Sequence, residues 1–517
     1  MNKSIQTVLK YHETTKHSQH RYARSLGYLD WATQPNPFRN YKGAREIKLP
    51  LSFKNSTPPY HLLDENLPSA PVLKESISQF LQFSLGIAAI KISGDNSWAV
   101  RCNASSGNLH PTESYLILPP VLKEQNEKTS IMHYRVQNHS LEELSSFKTS
   151  FWDELPKNSF LLGLSSVAWR EAWKYGERAF RYTQLDAGHA WQALVISAKM
   201  LGWKLTRLDS VSDQDIASLL GISQSQRFFE AEEADMLFVI SKEVVDSSIS
   251  IEKLIKDVPL KFDSIANRLS ESMQKWEIIP EIQKAIQTNQ IAQKNILKSK
   301  YKKEATRESK DIVLNRRSIH VMQKNKSTIT KEQFHTMLQS ISSSLDDKES
   351  STHLCIFVHR IEEYESGLYI LLRNKSAKEI LKQKLDDDFK WQNTEFEELY
   401  LLKAQNYTHI SKAISCTQDI ASDGSFSLGM LCEFTNQLQK YGAHRYKELY
   451  WECGAVGQQL YLEATSLGLS GTGIGCYLDD MMHKQLGLKD NSFQILYHFT
   501  VGRGYVDSRI STKEAYS

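Results

Sequence analysis

Ala190, Leu194, Ala198 and Leu201 fall at i, i+4, i+8 and i+11, and Val456, Leu460, Ala464 and Leu467 repeat that spacing. It places four apolar side chains on one face of a helix, so two helices with matching faces are predicted, each stopping at a Leu-Gly pair, Leu201-Gly202 and Leu467-Gly468. The two patterns belong to a longer internal repeat. Lys174-Tyr175-Gly176 recurs as Lys440-Tyr441-Gly442, an offset of 266 (440 − 174). The same ungapped offset pairs Asp186 with Glu452, Gly188 with Gly454, Gln192 with Gln458, Asp213 with Asp479 and Leu220-Gly221 with Leu486-Gly487. A repeat this long makes the chain two copies of one domain.

Upstream the repeat is fainter. HPTESYLILPPV (110–121) resembles HLCIFVHRI (353–361), and MHYRVQNHSLEEL (132–144) resembles GLYILLRNKSAKEIL (367–381). Both pairs read as β-branched or aromatic segments leading into helical ones. Strands mixed with helices in each copy give an α+β class. Residues 1–250 form the first domain, 251–310 a Lys-, Gln- and Ser-rich helical connector containing Lys298, Lys300, Lys302 and Lys303, and 311–517 the second domain. A basic run of this kind reads as a solvated helix or linker.

The copies differ where chemistry would sit. After its long helix the second copy carries Ser470-Gly471-Thr472-Gly473-Ile474-Gly475, and the first has Lys204-Leu205-Thr206-Arg207-Leu208-Asp209. Alternating glycines let backbone N–H groups approach a flat or anionic ligand, so the segment is a cofactor cradle or else a flexible helix-to-strand connection. It follows a helix, which argues against a dinucleotide-binding turn. The second copy also opens with Asn315-Arg316-Arg317-Ser318-Ile319-His320, where guanidinium forks and a hydroxyl suit a phosphate monoester. Conversely, only the first copy has the small polar run Arg101-Cys102-Asn103-Ala104-Ser105-Ser106-Gly107-Asn108-Leu109-His110-Pro111.

Composition narrows the picture without redirecting it. With 40% hydrophobic and 24% charged residues, and a formal charge of +3 from 63 basic and 60 acidic side chains, the chain reads as an ordinary globular protein with no nucleic-acid signature. The opening MNKSIQTVLKYHETTKHSQHRY lacks an apolar core, and the run Phe80 to Ile90 is broken by Gln82 and Ser84, so a cytoplasmic protein without membrane segments is expected. Six scattered cysteines predict reduced thiols. His12, His17 and His20 with Glu13 are spaced too unevenly on a helix to favour a metal, and no metal is expected.

Taken in order, Arg-x-x-x-Ser-x-Gly-Asn-x-x-Pro from Arg101, Lys-Tyr-Gly-x-Arg from Lys174, Arg-Arg-Ser from Arg316 and Gly-x-Gly-Ile-Gly from Gly471 resemble the nitroreductase superfamily. Within it, the Lys-Tyr-Gly segment and Tyr11-His12-Glu13-Thr14-Thr15-Lys16-His17 resemble the SagB/ThcOx-type dehydrogenases. The resemblance implies two tandem nitroreductase-like domains, each a mainly antiparallel mixed sheet packed by helices, joined as an intramolecular pseudo-dimer that is monomeric or homodimeric as a whole. It implies flavin mononucleotide (FMN) held by Arg316, Arg317, Ser318 and His320 with Arg503 at the phosphate and ribityl chain. Gly473, Ile474 and Gly475 would line the ring, and Arg101, Asn103, Ser105, Ser106 and Asn108 of the first copy would meet its edge.

The same resemblance gives the proton-handling role to Lys174 and Tyr175, which on their own residues read equally well as a surface Lys and a core Tyr that begin a helix. Arg178 is a candidate for an anionic substrate group. The implied function is an FMN-dependent oxidoreductase acting on an azoline-like heterocycle, a modified peptide or another small molecule. The alternatives are an NAD(P)H-dependent nitro or quinone reductase and, in another class, a flavin-idle docking partner in a peptide-modifying assembly.

Overall fold

The computed structural model describes residues 2–288, 305–342 and 350–516. The chain divides into two compact units, which do not follow chain order. A first-copy unit contains the described residues of 24–294 with 308–314 and the C-terminal tail from 509. A second-copy unit contains 315–508 with the N-terminal segment to Ala23 and the residues ending at Arg307.

Each unit is built on a seven-stranded, entirely antiparallel sheet. In the first the spatial order is Arg45–Lys48, Ser140–Phe147, Thr129–Arg135, Thr112–Leu118, Phe160–Ser166, Glu233–Ser241, Lys204–Arg207. In the second it is Gln392–Asn393, Leu399–Ala404, Gly367–Leu371, Thr352–Val358, Phe426–Glu433, Phe493–Gly502, Ser470–Ile474. The strands predicted at 110–121 and 353–361 occupy the same fourth place, and those at 132–144 and 367–381 the same third place.

The central strands are buried on both faces because helices cover each side. One face of the first sheet packs Tyr115, Ile117, Leu161 and Leu237 against Ile216 and Leu219 of helix Asp213–Leu219. On the other side helix Ala179–Met200 lies against strands Thr112–Leu118 and Phe160–Ser166. Its counterpart Arg445–Ser466 lies against Phe493–Gly502 and Thr352–Val358. These helices are the two predicted from the apolar faces. Both span 22 residues and are buried along nearly their whole length, as a helix in the middle of a layered fold must be. Both stop two residues before a left-handed glycine, Gly202 (φ 64°) and Gly468 (φ 70°).

Three sequence expectations change. Residues 140–147 are a strand and not a helix in the first copy, because Leu141, Leu144 and Phe147 are buried when the segment pairs with Thr129–Arg135 and Arg45–Lys48. In the second copy the helical expectation holds, as Lys378–Lys384. The glycine run is likewise no loop: Ser470–Ile474 is the edge strand of its sheet, paired with Phe493–Gly502. The stretch from 251 also packs as part of a folded unit. Ile251, Leu254, Phe262 and Ala266 enter the first core, and Leu269 and Ile279 pack with Trp169 and Trp173. Lys298, Lys300, Lys302 and Lys303 lie outside the described residues.

Helix Lys3–Thr14 belongs to the second-copy unit, where buried His12 reaches the Tyr446 hydroxyl (3.1 Å) and the Gln494 side-chain carbonyl (3.0 Å). The tail strand Ser511–Lys513 extends a sheet of the first-copy unit by pairing with Ile87–Ser93. Among the described residues no helix is long and apolar enough to cross a membrane.

Candidate functional site

In the second-copy unit the sheet edge gathers three of the predicted motifs. The segment after Arg316 runs along edge strand Ser470–Ile474, with Ser318 bridging Gly471 in parallel. The Ile319 amide donates to the Thr472 hydroxyl (2.9 Å), which donates back to the Ile319 carbonyl (2.7 Å). On its other side the segment meets the chain after the last long strand. Gln323 N–H donates to the Arg503 carbonyl (2.7 Å), and Tyr505 N–H donates to that of Val321 (2.9 Å). Arg316–His320, Gly471–Ile474 and Arg503 thus belong to one hydrogen-bonded patch of backbone. Its interior is anchored by Ile474, packed with Met322, Ile420 and Ala421.

From this frame Ser318, His320 and Arg503 are exposed, Arg317 is half-buried and Arg316 is buried. The Arg503 Nε–H donates to the Lys326 carbonyl (3.2 Å), and the side chain is exposed. Arg316 instead lies over the Tyr461 ring, 5.1 Å from its centroid. The glycines make room for neighbours: a methyl group on Gly471 would stand 2.8 Å from the Phe499 ring, and one on Gly473 would meet the Tyr497 hydroxyl at 1.8 Å. Tyr461 closes the arrangement, its hydroxyl accepting from the Gly473 amide (2.8 Å) and pairing with Ser318 Oγ (2.8 Å). Sequence reasoning missed Tyr461 and Tyr497. Tyr461 had a signal, since the first copy has Val195 at the equivalent position and a polar-tipped ring replaces an aliphatic side chain.

In the first-copy unit the run after strand Asn96–Arg101 folds into a compact turn with positive φ at Gly107, Asn108 and His110. Its side chains are engaged within the unit. Ser105 Oγ accepts from the His110 amide (2.8 Å), and Ser106 donates from its amide (3.0 Å) and its hydroxyl (3.0 Å) to Asp186. The Asn108 side-chain Nδ2 donates to the Ala99 carbonyl (2.9 Å). Arg101 is buried and donates to the Pro37 carbonyl (2.5 Å); burial lowers its pKa to about 10, opposed by Glu113. Asn103 is buried at 3% exposure, and its side-chain oxygen meets no donor.

Lys174 and Tyr175 end helix Ala168–Tyr175 against this turn. A methyl group on Gly107 would lie 2.8 Å from the Tyr175 hydroxyl and 3.2 Å from Lys174 Nζ. The motif and the Lys-Tyr pair, 67 residues apart in the chain (174 − 107), therefore adjoin. Tyr175 packs on Tyr182 with ring centroids 4.4 Å apart. Arg178, expected to face an anionic substrate, is buried instead, its Nε–H on the Tyr182 hydroxyl (3.1 Å). In the second copy Lys440 is exposed beside Tyr441. Beneath the first pair lie two residues the sequence did not single out as chemical, Glu171 and Asp186, both fully buried.

Two seven-stranded antiparallel sheets, each backed by one buried 22-residue helix, with a basic, glycine-bearing edge in one unit and a Ser/Asn turn under a Lys-Tyr pair in the other, define a tandem α+β protein of two diverged halves. The chain belongs to the nitroreductase family, whose model matches it twice, over residues 67–230 and 313–503. Its fold is similar to that of a protein from Anabaena variabilis assigned as a nitroreductase, with 21% identity and a TM-score of 0.70 over 96% of this chain and 99% of that one. Matches over a single copy include the E. coli microcin synthetase McbBCD complex with truncated pro-MccB17 bound (17% identity, 47% of this chain and 94% of that one, TM-score 0.29). A nitroreductase with bound FMN from Bacteroides fragilis also matches (14% identity, 39% and 90%, TM-score 0.22). No curated protein matches the chain.

Proposed function

We propose that the chain is an FMN-dependent oxidoreductase of SagB type. The observation that carries this reading is the assembly of Arg317, Ser318, His320 and Arg503 on one glycine-bearing sheet edge, a set the first copy lacks. Cationic forks, a hydroxyl and an imidazole are the donors a phosphate monoester needs. The backbone of Gly473, Ile474 and Gly475 lines the ring, and Arg316, lying over the Tyr461 ring, backs the phosphate donors. In the first copy, Asn103 has a buried carbonyl oxygen that meets no donor, an acceptor suited to an imide N–H such as isoalloxazine carries. Ser105, Ser106 and Asn108 hold the turn in shape, and Arg101 supports the strand leading into it.

Bound FMN supplies two-electron transfer through N5. Lys174 Nζ and the Tyr175 hydroxyl, side by side against the Gly107 turn, are the groups that take up and return the proton accompanying that transfer. A proton acceptor placed this way favours dehydrogenation of a carbon next to a heteroatom, as in an azoline-like heterocycle.

The test is flavin content and its dependence on Arg503. The purified protein is expected to be yellow with one FMN per chain. Arg503→Ala should weaken FMN binding roughly tenfold to a hundredfold, the range for losing one charge-assisted hydrogen bond. Two flavins per chain, or none after reconstitution, would sink the reading. Reduction of the flavin by a heterocycle-containing peptide supports the dehydrogenase, and steady NAD(P)H oxidation with a nitroaromatic acceptor selects the reductase instead.

A further inference from the structure

Glu171 and Asp186 sit on consecutive helices of the first-copy unit and are 0% and 1% exposed. Asp186 is well supplied: the amide and hydroxyl of Ser106 both donate to it. Glu171 is not, since neither of its carboxylate oxygens meets a donor. What faces it is Asp186. Two ionised carboxylates can only accept, so a buried pair of them would carry an orphan and a like-charge repulsion together. One proton removes both faults, because protonated Glu171 donates to ionised Asp186.

We infer that Glu171 and Asp186 share a single proton and act as a positioning pair, fixing the Ser106–Asn108 turn and setting one negative charge beneath Lys174. The inference rests on the reading of Lys174 and Tyr175 as proton-handling groups.

The electrostatics agree with the geometry. Burial raises Glu171 well above the usual carboxylate range, and the neighbouring Asp186 raises it further. Burial likewise raises Asp186, to about 7, against the hydrogen bonds from Ser105, Ser106 and Glu171 that favour its ionised form. Lys174 and Arg170, from the helix that carries Glu171, are the cations facing the pair. Arg170 is already committed to Glu113 (2.5 Å) and to the His110 carbonyl (2.7 Å). Glu113 is in turn bonded to His133 (3.1 Å), and Lys174 is the second cation facing the pair.

The second copy shows the alternative. At the place of Glu171 stands Gln437, which donates to Glu433 (2.8 Å) and accepts from Arg445 (3.0 Å). At the place of Asp186 stands Glu452, neutralised by Arg373 (2.7 Å) and bonded by Ser350 (2.7 Å). In the second copy an amide and an arginine-paired carboxylate thus stand where the first copy has two carboxyls.

The experiment uses the full chain as purified, with Glu171→Gln and Asp186→Asn. Infrared spectra at pH 7 should show a protonated-carboxyl stretch in the wild type that Glu171→Gln removes, a readout that needs no flavin. With FMN bound, the pH–rate profile of flavin reduction provides the second readout. Glu171→Gln keeps one charge in the pair and should retain the wild-type midpoint. Asp186→Asn removes that charge and should move the midpoint away from the wild-type value. A stretch that persists in Glu171→Gln, or a midpoint that Asp186→Asn leaves in place, overturns the inference. If Asp186→Asn does not fold, the infrared comparison decides alone. Absence of FMN defeats the functional proposal while leaving the infrared result to stand or fall separately.

Discussion

Gly176 follows Lys174 and Tyr175 with φ 53° and ψ −129°, a conformation nearly closed to residues with a Cβ. A methyl group there would also lie 2.1 Å from the Arg24 carbonyl oxygen and 2.6 Å from Ser25 Cα, both backbone atoms with little freedom to retreat. Gly176→Ala therefore incurs about 1–3 kcal/mol of backbone strain. Moving residues 24–25 aside would also break the hydrogen bond from the Glu177 amide to Arg24 O (2.9 Å), a further 0.5–1.5 kcal/mol or so. The repeat supplies a matched control. Gly442 has φ 97°, but its added methyl would meet only the His444 ring at 3.4 Å, so Gly442→Ala incurs the strain alone. Urea unfolding followed through tryptophan emission reads the first site directly, because Trp169 and Trp173 are on the helix that ends there. The expected result is a larger loss of stability for Gly176→Ala, by about 1 kcal/mol or more, with slower flavin reduction as Lys174 and Tyr175 shift. Equal losses at the two positions, or a larger one at Gly442, would refute the argument that the Arg24–Ser25 backbone clamps this turn.

Two further outcomes are expected. Buried His133 lies between Glu113 (3.1 Å) and Glu142 (3.0 Å); burial lowers its pKa, but the two hydrogen bonds win and raise it to about 9. A folded-state pKa above the unfolded 6.5 means that the stabilisation is complete below pH 6.5 and is lost as pH rises through about 9. It amounts to about 3 kcal/mol, so the stability gap between wild type and His133→Gln should shrink between pH 6.5 and 9, and denaturant midpoints showing a constant or widening gap would contradict this. At the sheet edge, Gly473→Ala drives its methyl into the Tyr497 hydroxyl at 1.8 Å and should lose about 1–3 kcal/mol, with part of the loss recovered in Gly473→Ala/Tyr497→Phe, where that oxygen is gone. No recovery in the double variant would show that the methyl meets some other obstacle.

What the sequence disclosed was what periodicity and punctuation encode. Ala190, Leu194, Ala198 and their counterparts at 456–464 fixed the two long helices, and the ungapped offset carried the assignment from Lys174 to Gly487. It failed where neighbours decide. Ser470–Ile474 has two glycines and little intrinsic strand preference, yet pairing with Phe493–Gly502 makes it a strand, with Phe499 and Tyr497 filling the space its missing side chains leave. The segment 251–288 read as a polar connector because its apolar anchors, Ile251, Leu254, Phe262, Leu269 and Ile279, arrive at irregular intervals, each inserted into a core built by other elements. Helix Lys3–Thr14 presents the limiting case, since no local pattern shows that His12 meets Tyr446 and Gln494 hundreds of residues away.

The same limit explains why Glu171 and Asp186 escaped notice while Lys174 and Tyr175 did not. In sequence the first two are a polar residue in a short helix and a match to Glu452; their meaning depends on burial and on what each faces. Glu452 is also fully enclosed, but Arg373 holds its carboxylate below the usual range against the opposing effect of burial. One fold thus contains two electrostatic solutions at equivalent positions: a carboxylate neutralised by an arginine, and a carboxylate answered by a second carboxyl and a proton. An ion pair of the first kind is fixed across the physiological pH range. A shared proton leaves a titratable, singly charged pair next to Lys174, and that is the arrangement suited to a site where a proton has to arrive and depart with each two-electron transfer.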